Sequence, residues 1–349
     1  MRIGITGGPG SGKTTFSYYL TQLLPNCYSP DVDMIYHNRG QEKMMDTIGW
    51  RYVTAGTKEE EANKSYEYIL KLCEERKIEI NGDFSLKEKA SYALSKLSFK
   101  YTKEYLDKEV PKNCDFVVLD FYLLPYLKEF CDLDYSVLLD VDASIRYDHA
   151  LTRMSKNEGK SFSKEEKESR IKKMEEFEKK ENVNYQIIKY DSILKNPSSL
   201  ESLQNQAKRL ALQILKKYSI SQINDMLRRE YDNYVNNVIE YSDSFSYKRY
   251  AYKELKESFG NSLISKLLFL YENNLMDEEM FALYLEKRIY AIKYYLDKNK
   301  ASLYFEDKVK EFSQELKENI TDLYEKDLID KDFYNKLMKE TKRFKKTAR

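Results

Sequence analysis

Histidine, tryptophan and cysteine are scarce in this chain of 349 residues, at two, one and four copies. Cys27, Cys73, Cys114 and Cys131 lie far apart without metal-ligand spacing, and His37 and His149 are isolated, which argues against a zinc site. Reduced, mostly buried thiols are expected instead. Met1 is followed at once by a strand pattern rather than a basic and then apolar leader, and no apolar run is long enough to span a bilayer. A cytoplasmic protein with no membrane role is therefore expected. An excess of either charge is missing too: 59 lysines and arginines face 58 aspartates and glutamates. No whole-chain field draws the protein to nucleic acid or to an acidic surface, so any partner must be recognised locally.

Glycine is also sparse, eleven in all, yet four fall within residues 7–12. They belong to Gly7-Gly8-Pro9-Gly10-Ser11-Gly12-Lys13-Thr14, a full G-x-x-x-x-G-K-[ST] loop. The run Arg2-Ile3-Gly4-Ile5-Thr6 reads as a strand leading in, and Thr15-Phe16-Ser17-Tyr18-Tyr19-Leu20 as a helix leading out. In that setting the loop amides and the helix N-terminus can cradle phosphates, with Gly8, Pro9, Gly10, Ser11, Gly12 and Thr15 completing the binding loop. Lys13 is expected to reach the β- and γ-phosphates, and the Thr14 hydroxyl to hold Mg²⁺. ATP and Mg²⁺ are the expected ligands.

Beyond the loop, strand and helix patterns alternate. Phe116–Phe121, Ser136–Val141 and Tyr185–Tyr190 read as short strands buried on both faces, separated by helical stretches, which predicts an α/β domain with a parallel sheet. A charged helical region over about 58–110, broken at Asn81-Gly82-Asp83, is longer than one crossover needs and predicts a cap. After about residue 218 strand signals cease, so the domains are read as 1–218 and an all-helical 219–349. Within the second, Leu270-Tyr271-Glu272 and Leu275-Met276-Asp277 are echoed by Leu323-Tyr324-Glu325 and Leu328-Ile329-Asp330. Each copy predicts a helical hairpin whose second helix is capped by Asp277 or Asp330. The hairpins resemble the short hairpin domains appended to many bacterial and phage proteins. The basic end, from Lys339 to Arg349, is read as a solvated terminus.

Carboxylates supply the candidate chemistry. Asp31-Val32-Asp33 ends the expected second strand, where a carboxylate can take a proton from an attacking hydroxyl. Asp33 is the first choice as base, and a cap on the following helix is the competing role for either residue. Asp120 closes the apolar run of the third strand, in the manner of a carboxylate that reaches Mg²⁺ through water. Arg146, Arg153 and Arg170 lie in a polar helical stretch over about 143–180 that could close as a lid. His37 and Arg39 follow the base closely enough to line an acceptor cleft. The single Trp50 is read as packing in the core.

Together these pieces resemble the P-loop small-molecule kinases, and among them the dephospho-coenzyme A kinases. The resemblance runs over about the first 215 residues, through Ile5–Thr14, Asp31-Val32-Asp33, Val117–Leu124, Leu139-Asp140-Val141-Asp142, Arg153, Ser163–Glu166 and Arg170-Ile171. It implies a five-stranded parallel sheet flanked by helices, with Asp33 as base and Arg153 as the lid arginine; the C-terminal helices are unmatched. The chain departs from the family at His149, where another lid arginine is usual, at Pro9, at Glu175 and Glu176, and over Tyr36–Gly40 and Trp50-Arg51-Tyr52. The expected activity is an ATP- and Mg²⁺-dependent kinase of a nucleoside- or nucleotide-like small molecule. Two alternatives stay open: a kinase of a modified nucleotide, such as hydroxymethyluracil, in phage DNA, disfavoured by the balanced charge; and a P-loop NTPase switch. In the latter the C-terminal helices would engage a protein partner or a second copy.

Overall fold

The computed structural model describes residues 1–48, 59–78, 85–127, 132–181, 183–195, 199–244 and 246–344. A five-stranded parallel sheet organises the first part: β1 Arg2–Gly7, β2 Cys27–Tyr28, β3 Phe116–Asp120, β4 Tyr135–Asp140 and β5 Ser192–Lys195, in the spatial order β2-β3-β1-β4-β5. Helices flank the sheet, and a wholly helical region follows it. Central β1 is buried almost throughout, with Ile3 and Ile5 fully enclosed, as a strand covered on both faces requires. Its register sets Ile5 beside Asp120 of β3 and Gly7 beside Leu139 of β4. The glycine loop, Asp120 and the end of β4 thus share one sheet edge, the carboxyl end, where α/β folds bind ligands.

The last strand departs from its expected position. Tyr185–Ile187 is a 3₁₀ turn, because the Asn184 side chain accepts the Gln186 amide at 2.9 Å and holds the backbone out of extended form. Pairing with β4 begins only after Asp191, whose carboxylate accepts both the Ser136 amide (2.7 Å) and the Ser136 hydroxyl (2.9 Å).

The expected cap is a pair of helices, Glu59–Glu75 and Leu86–Glu109, with its own small core of Ile69, Leu72, Cys73, Ala90, Ala93 and Leu97. The anticipated break at Asn81-Gly82-Asp83, with Trp50-Arg51-Tyr52 and Cys131, lies outside the described residues. Cys27, Cys73 and Cys114 are free thiols. The lid region is two helices, Ala143–Glu158 and Lys164–Glu181, separated at Gly159, which closes the first in a left-handed turn (φ 64°). A capping box starts the second: the Glu166 carboxylate accepts the Ser163 amide, and the Ser163 hydroxyl accepts the Glu166 amide.

By internal contact the chain divides into two units, Met1–Tyr19 with Tyr28–Ala207, and Leu20–Cys27 with Lys208–Arg349. The second therefore starts before residue 219 and takes in the turn after the first helix. Its helices are the end of Leu200–Leu215, then Ile220–Asp243, Lys248–Lys253, Leu263–Glu272, Glu279–Lys298, Phe305–Glu325 and Lys331–Phe344, with a π-helical segment at Glu254–Ser262. Lys339, Lys342 and Arg343 lie on the last helix; residues 345–349 fall outside the described ones.

The echoed sequences form matching turns. Asn274 and Asp327 adopt left-handed φ values of 55° and 56°, and the amides of Leu275 and Leu328 return to the carbonyls of Leu270 and Leu323, both at 2.9 Å. Asp330 caps its helix through the Phe333 amide at 2.7 Å, as expected. Asp277 does not: the cap position falls on Glu278, and the Asp277 carboxylate instead accepts the Asn224 side-chain amide at 2.7 Å. A tertiary hydrogen bond thus displaces the local one. Among the described residues no helix is long and apolar enough to cross a membrane.

Candidate active site

Backbone conformation makes the loop after β1. Gly10 and Gly12 take φ values of +82° and +88°, the Ser11 amide turns back to the Gly8 carbonyl at 3.1 Å, and Lys13 is the first residue of helix Lys13–Leu23. That helix is anchored by Phe16 and Leu20, four apart and fully buried. Gly10 has a second reason to lack a side chain, since a β-carbon there would collide with the Arg146 carbonyl oxygen. Gly10→Ala is therefore expected to displace the loop and, on the phosphate-binding reading of the sequence, to weaken nucleotide binding about tenfold or more, read by titration calorimetry; unchanged affinity would show that the loop adapts.

Three side chains singled out in the sequence influence one another electrostatically here. Burial pushes the Lys13 ammonium below the ordinary lysine range; Asp120 and Asp33 act against that shift, and Arg146 and Arg153 reinforce it. Partial desolvation raises the Asp33 carboxyl, opposed by Lys13 and reinforced by Asp120. Asp120 is raised chiefly by burial, against a hydrogen bond from the Thr14 hydroxyl and the charge of Lys13. The charges of Lys13, Asp33 and Asp120 thus act on one another near the start of the helix, with the Thr14 hydroxyl bonded to Asp120.

The Asp-x-Asp pair divides its labour. Asp31 is the N-cap of the short helix Val32–Ile35, accepting the Met34 amide at 2.8 Å. Asp33, in the first turn of that helix, is left to face Lys13 and Asp120. The helix continues through a π-helical turn, Tyr36–Gly40, into Gln41–Ile48. At Gly40 a β-carbon would strike the Thr102 hydroxyl of the cap, so the two helices meet there at close range. His37 sits edge-on to the Tyr36 ring at 5.0 Å and acts to lower the Asp33 carboxyl. Arg39 is turned elsewhere, into an ion pair with Glu109 and over the Tyr105 ring at 5.7 Å.

The three arginines of the expected lid have separate surroundings. Arg153 lines a cavity of about 320 Å³ together with the loop residues Gly10, Ser11 and Gly12, with His149, and with Leu200 and Leu203. Arg146 is a rivet: its guanidinium donates to the Pro9 carbonyl at 3.1 Å and the Val141 carbonyl at 3.0 Å and pairs with Glu178, which also accepts the Tyr147 hydroxyl. His149 shares a hydrogen bond of 3.3 Å with the Gly10 carbonyl. Arg170 is engaged within the lid, paired with Glu158 and 4.0 Å over the Phe162 ring. Glu178 and the 199–203 segment were not anticipated from sequence. The second was detectable, since Ser199 accepts the Ser202 amide at 3.1 Å and so marks a helix start after Pro197.

No family model matches the chain, and no curated protein matches it. Among solved structures it is similar to TT1252 from Thermus thermophilus, at 20% identity and a TM-score of 0.34, the match covering 61% of this chain and 97% of that one. It is also similar to an uncharacterized protein from Eubacterium ventriosum, at 13% identity and a TM-score of 0.29, covering 61% and 98%.

The residues fit a hydrated Mg²⁺ held against a phosphate chain. Among the described residues no group of three or more His, Cys, Asp or Glu side chains could enclose a metal. Mg²⁺ seldom needs one, because it keeps several waters and takes one or two protein ligands plus phosphate oxygens. The Asp120 Oδ2 atom is buried with no hydrogen-bond partner, the kind of orphaned acceptor that a metal-bound water would satisfy. The buried Ser11 hydroxyl likewise lacks a partner inside the loop.

Proposed function

We propose that the protein is a phosphotransferase that moves the γ-phosphoryl group of ATP to a hydroxyl or phosphate of a nucleoside- or nucleotide-like small molecule. The observation that carries the reading is the glycine-rich loop with positive φ at Gly10 and Gly12, which runs into the helix opened by Lys13 at the same end of the sheet as Asp120, with Asp33 in electrostatic reach of both. Loop amides and Lys13 bind the phosphates and offset the charge that grows on the transferring group. Mg²⁺, when bound with the nucleotide, supplies further charge neutralisation; Thr14 and Asp120 would hold it. Asp33 accepts the acceptor's proton as its oxygen attacks, a role for which a carboxyl raised above its ordinary range is better matched to neutral pH than an unperturbed one. The cavity edged by Arg153, Leu200 and Leu203 suits a flat base, with the guanidinium available to stack on it. A cytoplasmic location, where ATP is supplied and thiols stay reduced, belongs to the same proposal.

Incubation with γ-labelled ATP, Mg²⁺ and a panel of dephospho-coenzyme A, nucleosides, nucleoside monophosphates and plain or hydroxymethylated DNA tests the reading. Label on a small acceptor is the expected result. Label on DNA would move the assignment to the polymer kinase, and stimulation only by a protein partner would move it to a switch.

A further inference from the structure

Two charges are buried together in the helical unit at a place that packing alone does not explain. Lys266, on helix Leu263–Glu272, and Glu230, on helix Ile220–Asp243, meet at 2.5 Å with side chains only 5% and 6% exposed. Burying such a pair is costly, and an apolar pair of similar volume commonly serves stability as well or better. What distinguishes this pair is where its remaining hydrogen bonds go. Lys266 donates to the Leu24 carbonyl at 2.8 Å, and Glu230 accepts the Asn26 amide at 2.9 Å and the Tyr234 hydroxyl at 3.1 Å. Leu24 immediately follows helix Lys13–Leu23, whose last carbonyls have no partner within the helix. Asn26 is buried in a left-handed conformation (φ 48°), and its side-chain oxygen accepts the Asn233 amide at 2.9 Å. Both faces of one turn are thus gripped by charged groups from the C-terminal helices.

That turn joins the two elements on which the chemistry depends. On one side is the helix that begins at Lys13; on the other is β2, with Asp31 and Asp33 a few residues beyond it. We propose that Glu230 and Lys266 are positioning residues for phosphoryl transfer, fixing the Leu24–Asn26 turn and through it the path of the chain to Asp33. The inference rests on the reading of Asp33 as the base, and it gives the helical unit a part in the reaction beyond its own folding. Charge is suited to the task because each group is held at several points at once, which fixes direction as well as distance.

The test compares Lys266→Met, Glu230→Gln and the double variant with the wild-type full chain. Each single variant strands a buried charge and is expected to melt lower, so it does not separate folding from positioning. The double variant carries no stranded charge and is expected to melt close to wild type while its kcat falls about tenfold at unchanged KM for ATP. Amide exchange over residues 28–35 should quicken in the same protein. A double variant that melts, turns over and exchanges like wild type would overturn the proposal. If wild type transfers phosphate to no acceptor, the functional reading fails; exchange over residues 28–35 then still decides whether the pair orders the approach to Asp33.

Discussion

On the proposed phosphotransferase reading, Asp33→Asn is expected to lower phosphoryl transfer by about 10²–10⁴-fold, the usual worth of a positioned general base, and to leave ATP affinity within about twofold of wild type. The change keeps the side chain's shape and removes its basicity. Affinity should survive because the proposal gives the phosphates to the loop amides and Lys13, not to Asp33. The pH profile gives an independent check. Desolvation raises the Asp33 carboxyl, with Asp120 adding to the shift and Lys13 opposing it, so the acid limb of kcat/KM should fall at higher pH than an ordinary aspartate would give. Stability moves the other way. The folded chain holds this proton more tightly than the unfolded one, so the stabilisation is present below the ordinary carboxylate pKa and is lost as pH rises through the raised one. Asp33→Asn should therefore raise the melting midpoint at neutral pH while removing activity. Loss of both stability and activity would point to a structural role for Asp33.

Lys13→Ala removes a cation whose charge acts on both carboxylates. Transfer is expected to fall by about 10²–10³-fold, as when a donor to developing charge is deleted, with ATP affinity reduced alongside. Its charge acts to lower both Asp33 and Asp120, so both carboxyls should rise further in the variant. Residual turnover should then shift its acid limb to still higher pH. The combination separates Lys13 from Asp33, whose replacement leaves affinity intact. An affinity for ATP and Mg²⁺ equal to wild type would remove Lys13 from the phosphate site.

The parts of this site legible in the sequence are those fixed by local backbone. The glycine loop needs positive φ at Gly10 and Gly12, and Asp120 ends an apolar run on a strand, so residue type and spacing were enough. Less legible were the features settled by partners far along the chain. Asp31 and Asp33 differ in role through one hydrogen bond to the Met34 amide. Arg146 reads as another solvated lid arginine until Glu178, 32 residues on, is seen to pair with it. The pattern at Tyr185–Tyr190 suggests a strand, but Asn184 diverts it, and Asn224 takes Asp277 from its expected cap. The turn gripped by Glu230 and Lys266 carries no sequence signal, because its partners come from more than 200 residues away.

The most direct measurement follows the γ-phosphate of labelled ATP in the presence of Mg²⁺ and the acceptor panel, in wild type and Asp33→Asn side by side. Label on one small acceptor, lost in the variant, is the expected result and would assign both reaction and base. Label released only as free phosphate, at the same rate in both proteins, would contradict the assignment of this chain as a phosphotransferase.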